Sequence, residues 1–392
     1  MKRTFLKGGV MFLAFAIGIA AAGITYINLG YEDIGEVIND QPQPVVEQPS
    51  TNSATVEMVF VLDTTGSMGG LLDGAKQKIW GIVNEVMQRS SNPSVRVGFV
   101  AYRDNGDDYV TQITPLTSDL DAFYIKLMEL KPGGGGDFPE NVQRALAEGV
   151  EKAGWAKDSS AKIMFLVGDA PPKKYKNEAD IMVTTAKAIQ NNMIVNTIQC
   201  GEDRVTKDVW QKVANAGQGK YFAIAQDGGV ETIETPYDAE ISALGEQMGD
   251  TFVPYGSSAE RQLRSESLHE ARSYANTAAP SARADRALNK AISKEAYIGD
   301  LLQDLESGKK NIDDLSEAEL PEDIQKMSPS QRKESLNQKL EARKKLRGEI
   351  MELSKKRDGF IKEKTRSSGK QGGFDAAVSA ALSEQLGKLG VK

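Results

Sequence analysis

The 392-residue sequence predicts an α/β fold, a three-layer sandwich around a mostly parallel sheet over residues 55–255, followed by an α-helical, coiled-coil tail over 259–392. Three observations predict it. Short apolar runs alternate with longer amphipathic stretches through the first region. The runs are apolar at consecutive positions, as 56–62 is but for Glu57, which suits strands buried on both faces. Beyond residue 259 glycine and strand formers thin out, and Ala, Glu, Lys, Arg, Leu and Gln take over.

Taken in order, 56–62 is the first strand. Residues 71–87 follow as a helix, with Leu71, Leu72, Ile79, Ile82, Val83 and Val86 at helical spacing. Strands are expected over 95–102 and 110–116, and helices over 119–130 and 139–155. A buried strand at 163–167, a helix at 179–190, a strand at 194–200, a helix at 206–216 and a strand at 221–225 continue the alternation. A helix over about 237–252 closes the domain. In the tail, Leu288, Ile292, Ile298, Leu301, Leu302 and Leu305 mark one amphipathic helix. Ser328-Pro329-Ser330-Gln331 is a capping box with proline at the first helical position. It opens a long helix with Leu336, Leu340, Leu346, Ile350, Leu353 and Phe360 near heptad spacing, and 374–389 forms a last short one. A helical hairpin, a coiled-coil homo-oligomer and a solvated arm all fit that spacing.

Ahead of the sandwich, Lys2, Arg3 and Lys7 precede an apolar run from Gly8 to Ile24. Residues 1–30 therefore read as a signal peptide or as an N-terminal membrane anchor, and either exports the rest of the chain to the periplasm or another extracytoplasmic space. Residues 31–54, rich in Pro, Gln and Ser, form an extended linker.

Composition excludes several functions. Residues 1–258 hold 22 Lys and Arg against 33 Asp and Glu, an acidic balance that disfavours nucleic acid as a partner. The single cysteine, Cys200, allows no internal disulfide and reads as a small buried side chain. The single histidine, His269, lies in the tail, so no His-based zinc site or Ser-His pair can form in the sandwich.

Ligands of such a sheet sit beyond the carboxyl ends of its strands, and three acidic segments fall there. Asp63-Thr64-Thr65-Gly66-Ser67-Met68 places a carboxylate and two hydroxyls at alternate positions around a tight turn. A hard divalent cation wants such oxygen ligands, though a turn with a helix cap reads the same way. Gly133-Gly134-Gly135-Gly136-Asp137-Phe138-Pro139-Glu140 enters the next helix, with Asp137 and Glu140 spaced as a capping pair. Four glycines exceed what a helix start needs and would let backbone approach an ion. Gly168-Asp169-Ala170-Pro171-Pro172 follows the 163–167 strand. Three acids gathered at one edge would repel one another without a cation between them.

The ordered set DTTGSM, GGGGDFPE and VGDAPP resembles the metal-ion-dependent adhesion site of von Willebrand factor type A domains, a Rossmann-like family, and the tail resembles those of bacterial exported proteins of this type. By that resemblance Asp63, Thr65, Ser67 and Asp169 are metal ligands for Mg2+, or for Ca2+ or Mn2+. The middle segment departs from the threonine-bearing version and resembles the D-x-P-E form of integrin beta subunits, which favours Glu140 as the metal-facing group with Asp137 beside it. The resemblance implies a metal-dependent protein-binding module, used in adhesion or as a scaffold, whose partner is held at the metal face. Met68, Phe138 and Pro171 are expected at its rim. A structural or assembly factor, in which the ion only braces the loops and the tail engages partners, is the alternative. An enzyme is not expected, because the three motifs hold no free acid or base.

Overall fold

The structure, a computed structural model, describes residues 54–391 apart from 137, 158–159, 231, 294, 369–372 and the side chains of 367–368. The signal or anchor segment and all of the linker before residue 54 lie outside the described residues, as does Asp137. Among the described residues no helix is long and apolar enough to cross a membrane.

Six strands form one sheet: β1 (Thr55–Asp63), β2 (Ser94–Tyr102), β3 (Thr111–Thr117), β4 (Ala161–Gly168), β5 (Met193–Cys200) and β6 (Gln218–Ile224), in the order β3-β2-β1-β4-β5-β6. All pairings are parallel except that of the edge strand β3 with β2. The consecutive apolar residues of β1 divide between two cores. Met58, Phe60 and Leu62 face one, whereas Val59 and Val61 face the other. Period-two side-chain alternation with both faces covered is what makes such a strand apolar throughout.

Helices α1 (Gly69–Met87) and α2 (Leu120–Glu129) cover the first face. Helices α3 (Val142–Lys152), α4 (Ile181–Gln190) and α5 (Arg204–Ala216) cover the second. The acid that interrupts β1, Glu57, is fully buried at the opposite end of the strand from Asp63. It pairs with Arg96 and accepts from the Ala156 N–H at 3.1 Å and the Ser160 hydroxyl at 3.2 Å.

The remaining helices are α6 (Asp238–Gly249), α7 (Ser258–Thr277), α8 (Pro280–Ile292), α9 (Leu301–Glu306), α10 (Glu322–Gln325), α11 (Pro329–Ser368) and α12 (Phe374–Lys388). Three features differ from the sequence expectation. The apolar series from Leu288 to Leu305 is not one helix: α8 ends at Ile292, and α9 begins after Gly299, at φ +73°, and the capping residue Asp300. The capping box at Ser328 does start α11, with the Gln331 N–H donating to the Ser328 hydroxyl. Yet the heptad face of α11 meets three helices of its own chain, α6, α8 and α9, rather than one hairpin partner. Ile350 packs with Ile241 and Leu288, while Leu336 packs with Leu301 and Leu302.

The third difference is larger. Residues 259–392 are not an appendage, because Ser50–Lys392 is one compact unit and α12 lies on the sheet. Phe374, Val378, Leu382 and Leu386 are buried in the same core as Phe60, Phe165 and α1. The Asn196 and Gln385 amides bond reciprocally at 3.0 and 2.6 Å, which fixes α12 against β5. The chain's last helix thus completes a face of the sandwich, and α6–α11 are an excursion between β6 and that helix. Buried arginines of α11 hold the excursion in place. Arg343 pairs with Asp300 and donates to Thr251 at 2.7 Å, and Arg357 bridges Asp238 at 2.6 Å and Asp285 at 2.7 Å.

Candidate metal centre

Asp63 ends β1, and its full burial follows from a position at the centre of the sheet. Its Oδ1 accepts from the Thr65 backbone N–H at 2.9 Å and from the Thr65 hydroxyl at 2.7 Å, and that hydroxyl lies 3.3 Å from the Ser67 hydroxyl. A 3-10 turn at Gly66–Met68 carries Ser67 outward. Met68, expected at the rim, is instead fully buried beneath the turn.

The glycine loop is sewn to this turn by backbone bonds, Gly66 N–H to Gly134 O at 3.4 Å and Gly133 N–H to Thr64 O at 3.1 Å. Gly134 and Gly135 have φ of +71° and +74°, the left-handed region that only glycine enters freely. A Cβ on Gly135 would also lie 2.8 Å from the Thr65 Cβ and 3.3 Å from Glu140 Oε1. Close approach and positive φ explain Gly134 and Gly135, whereas a Cβ on Gly136 would meet nothing within 4 Å. The capping-pair alternative does not hold for Glu140, because α3 starts at Val142 with Asn141 as its cap. Glu140 sits ahead of the helix in a bridge to the third segment, its N–H on Pro171 O and its carbonyl accepting from Lys173 N–H at 2.8 Å.

Glu140 is therefore buried beside Asp63 rather than turned to a helix start. Asp169, half-buried after β4, accepts from Gln226 Nε2 at 2.6 Å. Burial pushes the Asp63 carboxyl up to about 7 against the lowering bonds from Thr65, and the Asp169 charge adds to the rise. Burial likewise lifts Glu140 to about 8, with repulsion from Asp63, Asp104, Asp107 and Asp169 behind it. Asp63 Oδ2 and Glu140 Oε2 are both buried with no hydrogen-bond donor. Orphaned carboxylate oxygens beside two hydroxyls fit a hard cation. Among the described residues no group of three or more His, Cys, Asp or Glu side chains is placed to hold a metal ion by itself.

The segment after β2, which the three sequence motifs leave out, builds the floor. Arg103 donates to Thr64 O at 3.2 Å and Lys131 O at 2.7 Å, fastening the first and second segments together. Asp107 accepts from the Gly135 N–H at 3.1 Å. Asp104 is buried against Lys173 at 2.6 Å and the Tyr175 hydroxyl at 2.5 Å. Tyr102 fills the space beside Gly168 that a side chain there would need. Only the acid-rich stretch Arg103–Asp108 signalled this in the sequence, and loop acids are too common to single out.

A family model described as von Willebrand factor A domain matches residues 57–236. The chain carries a von Willebrand factor A domain. The von Willebrand factor A domain-containing protein 7 of Rattus norvegicus is 40% identical over 87 residues, covering 22% of this chain and 9% of that protein. Its Homo sapiens counterpart is 31% identical over 134 residues, covering 34% and 13%. This chain thus spans about a tenth of the length of the curated relatives it matches. A solved structure of BatB, a conserved hypothetical protein from Bacteroides thetaiotaomicron, aligns over 44% of this chain and 90% of its own at 15% identity and a TM-score of 0.32. The matched span takes in the sheet from Glu57 of β1 onward and all three acidic segments of the A domain, whereas α6–α12 lie beyond it.

Proposed function

We propose that this A domain is a metal-dependent protein-recognition module in which Asp63, Thr65 and Ser67, with Glu140 and Asp169, hold one divalent cation. The observation that carries the reading is the pair of buried, donorless carboxylate oxygens on Asp63 and Glu140. The bound ion would offer an open position to an oxygen donor of the partner. Because the surrounding acids make the site net negative, it favours a neutral or weakly acidic donor and Ca2+ over Mg2+. Phe138, 57% exposed on the glycine loop, supplies an apolar contact beside that position. Asp137, which precedes Phe138 in the sequence, lies outside the described residues.

Binding rather than catalysis is the outcome the available side chains favour. Lys173 is tied to Asp104, and burial raises the Cys200 thiol well above its ordinary range. The basic and apolar N-terminal segment supports export of the domain to an extracytoplasmic space. Thermal unfolding in EDTA, then in Mg2+, Ca2+ and Mn2+, tests the metal. Ion at about 100 times its Kd should stabilise the parent by ~2.7 kcal/mol and leave Asp63→Ala unmoved. No shift with any ion in the parent refutes it.

A further inference from the structure

A second site lies far along the chain from the acidic one. Helix α8 presents Arg283, Arg286 and Lys290, spaced three and four residues apart, to a cavity of about 190 Å³ between α6, α7 and α8. Its other walls include the small residues Ala239, Ala243 and Ala287. The charges do not balance. Arg286 and Lys290, both more than nine-tenths buried, share the single carboxylate of Asp121, at 2.9 and 2.8 Å. Glu246 also lines the cavity but is bound by Arg272 at 3.0 Å.

That leaves Arg283. Its guanidinium makes no hydrogen bond or ion pair with any described residue, and its Nε is buried. Arg89, Arg343 and Arg347 also have a buried nitrogen without a partner, but each of those guanidiniums bonds elsewhere. Half-buried Arg283, with its Nε enclosed and unpartnered, faces a cavity with two further cations, a donor set that an acceptor-only ligand would complete.

We propose that this cavity binds a small oxyanion of the phosphate class, with Arg283 as its principal contact. The volume decides against a larger ligand, since it falls below the ~300 Å³ where pockets for drug-sized molecules begin. The ion would join α8 to α6 and α7. Both free phosphate and a short phosphomonoester present this chemistry.

Thermal unfolding and calorimetry of the full chain test it with sodium phosphate against sodium chloride at equal ionic strength, in EDTA so that no metal carries the anion. The unfolding midpoint should rise saturably in phosphate only. Arg283→Gln should raise the half-saturating concentration at least about tenfold, the loss expected for one charge-assisted contact. Arg283→Lys keeps the charge without the Nε–H and should weaken binding several-fold, which covers the case in which the glutamine variant does not fold. Glycerol 3-phosphate in parallel tells the sources apart. Binding equal to or tighter than that of phosphate points to an ester, and binding of phosphate alone to the free ion. Identical midpoints in phosphate and chloride overturn the proposal, and so do variants that bind phosphate as the parent does.

Discussion

Gly135 concentrates the geometry of the acidic site in one position. With φ at +74° and the Thr65 Cβ 2.8 Å from where its own Cβ would stand, it admits no side chain without moving the ligand turn. Gly135→Ala should cost about 1–3 kcal/mol, the range for non-glycine backbone in such a region. The same variant should weaken the metal-induced stabilisation, whereas Gly136→Ala, where a Cβ meets nothing within 4 Å, should do neither. Urea unfolding with and without Ca2+ measures both effects, and equal behaviour of the two variants would show that close approach is not what the glycines supply. At this scale Asp63, Thr65, Ser67, Glu140 and Asp169 were legible in the sequence, because strand-end acids and hydroxyls at alternate positions are local features. Tyr102, Arg103 and Asp107 were not. Their roles come from the neighbouring strand β2 laying its end beside β1.

The elements divide in the same way. Each helix of the sandwich declared itself by period and each central strand by a continuous apolar run, since one buried face must be apolar at fixed intervals and a strand buried on both faces apolar throughout. Periodicity does not say against what a helix packs, and α12 shows the consequence. Its spacing announced a helix at the end of a tail, while its contacts place Leu382 in the main core at 0% exposure. Leu382→Ala should therefore destabilise by about 2–5 kcal/mol, as a core leucine does. The partly exposed Met351 of α11, at 42%, should cost well under that on mutation to alanine. Denaturant midpoints compare them directly. A Leu382→Ala loss no greater than that of Met351→Ala would mean that α12 is a detachable arm after all. Heptad spacing in α11 left its partner open for the same reason: an apolar stripe is satisfied equally by a second chain or by α6, α8 and α9.

Across the whole molecule, buried ion pairs join segments that are distant in sequence. Asp121 on α2 pairs with Arg286 and Lys290 on α8, and Asp238 and Asp285 pair with Arg357 on α11. Burial alone would raise the Asp121 carboxyl, but the two cations outweigh it and hold it down at about 2 against an ordinary 3.8. A carboxylate depressed in the folded state contributes stability that is fully present above its unfolded pKa. That contribution fades as pH falls through the folded value, here between about pH 4 and pH 2, and amounts to about 2 kcal/mol. Asp121→Asn should thus be less stable than the parent near neutrality, with the gap closing towards about pH 2. A gap that stays constant with pH would show that the pair is not the source of the loss.

The sequence by itself determined the α/β class, the order of the strands along the chain, the acidic character of the first half and the three segments of the candidate metal centre. All of these are local, since periodicity, glycine runs and strand-end acids are written within a few residues. The tertiary structure decided what is non-local. It freed Glu140 from a helix cap by bridging it to the third segment, returned α12 to the sheet across the α6–α11 excursion, turned the heptad face of α11 inward and left Arg283 without an acid. Each outcome depends on which buried surfaces and charges come together when the chain closes on itself. Pairings between residues more than a hundred positions apart, such as Asp121 with Arg286, leave no periodic trace in the sequence that makes them.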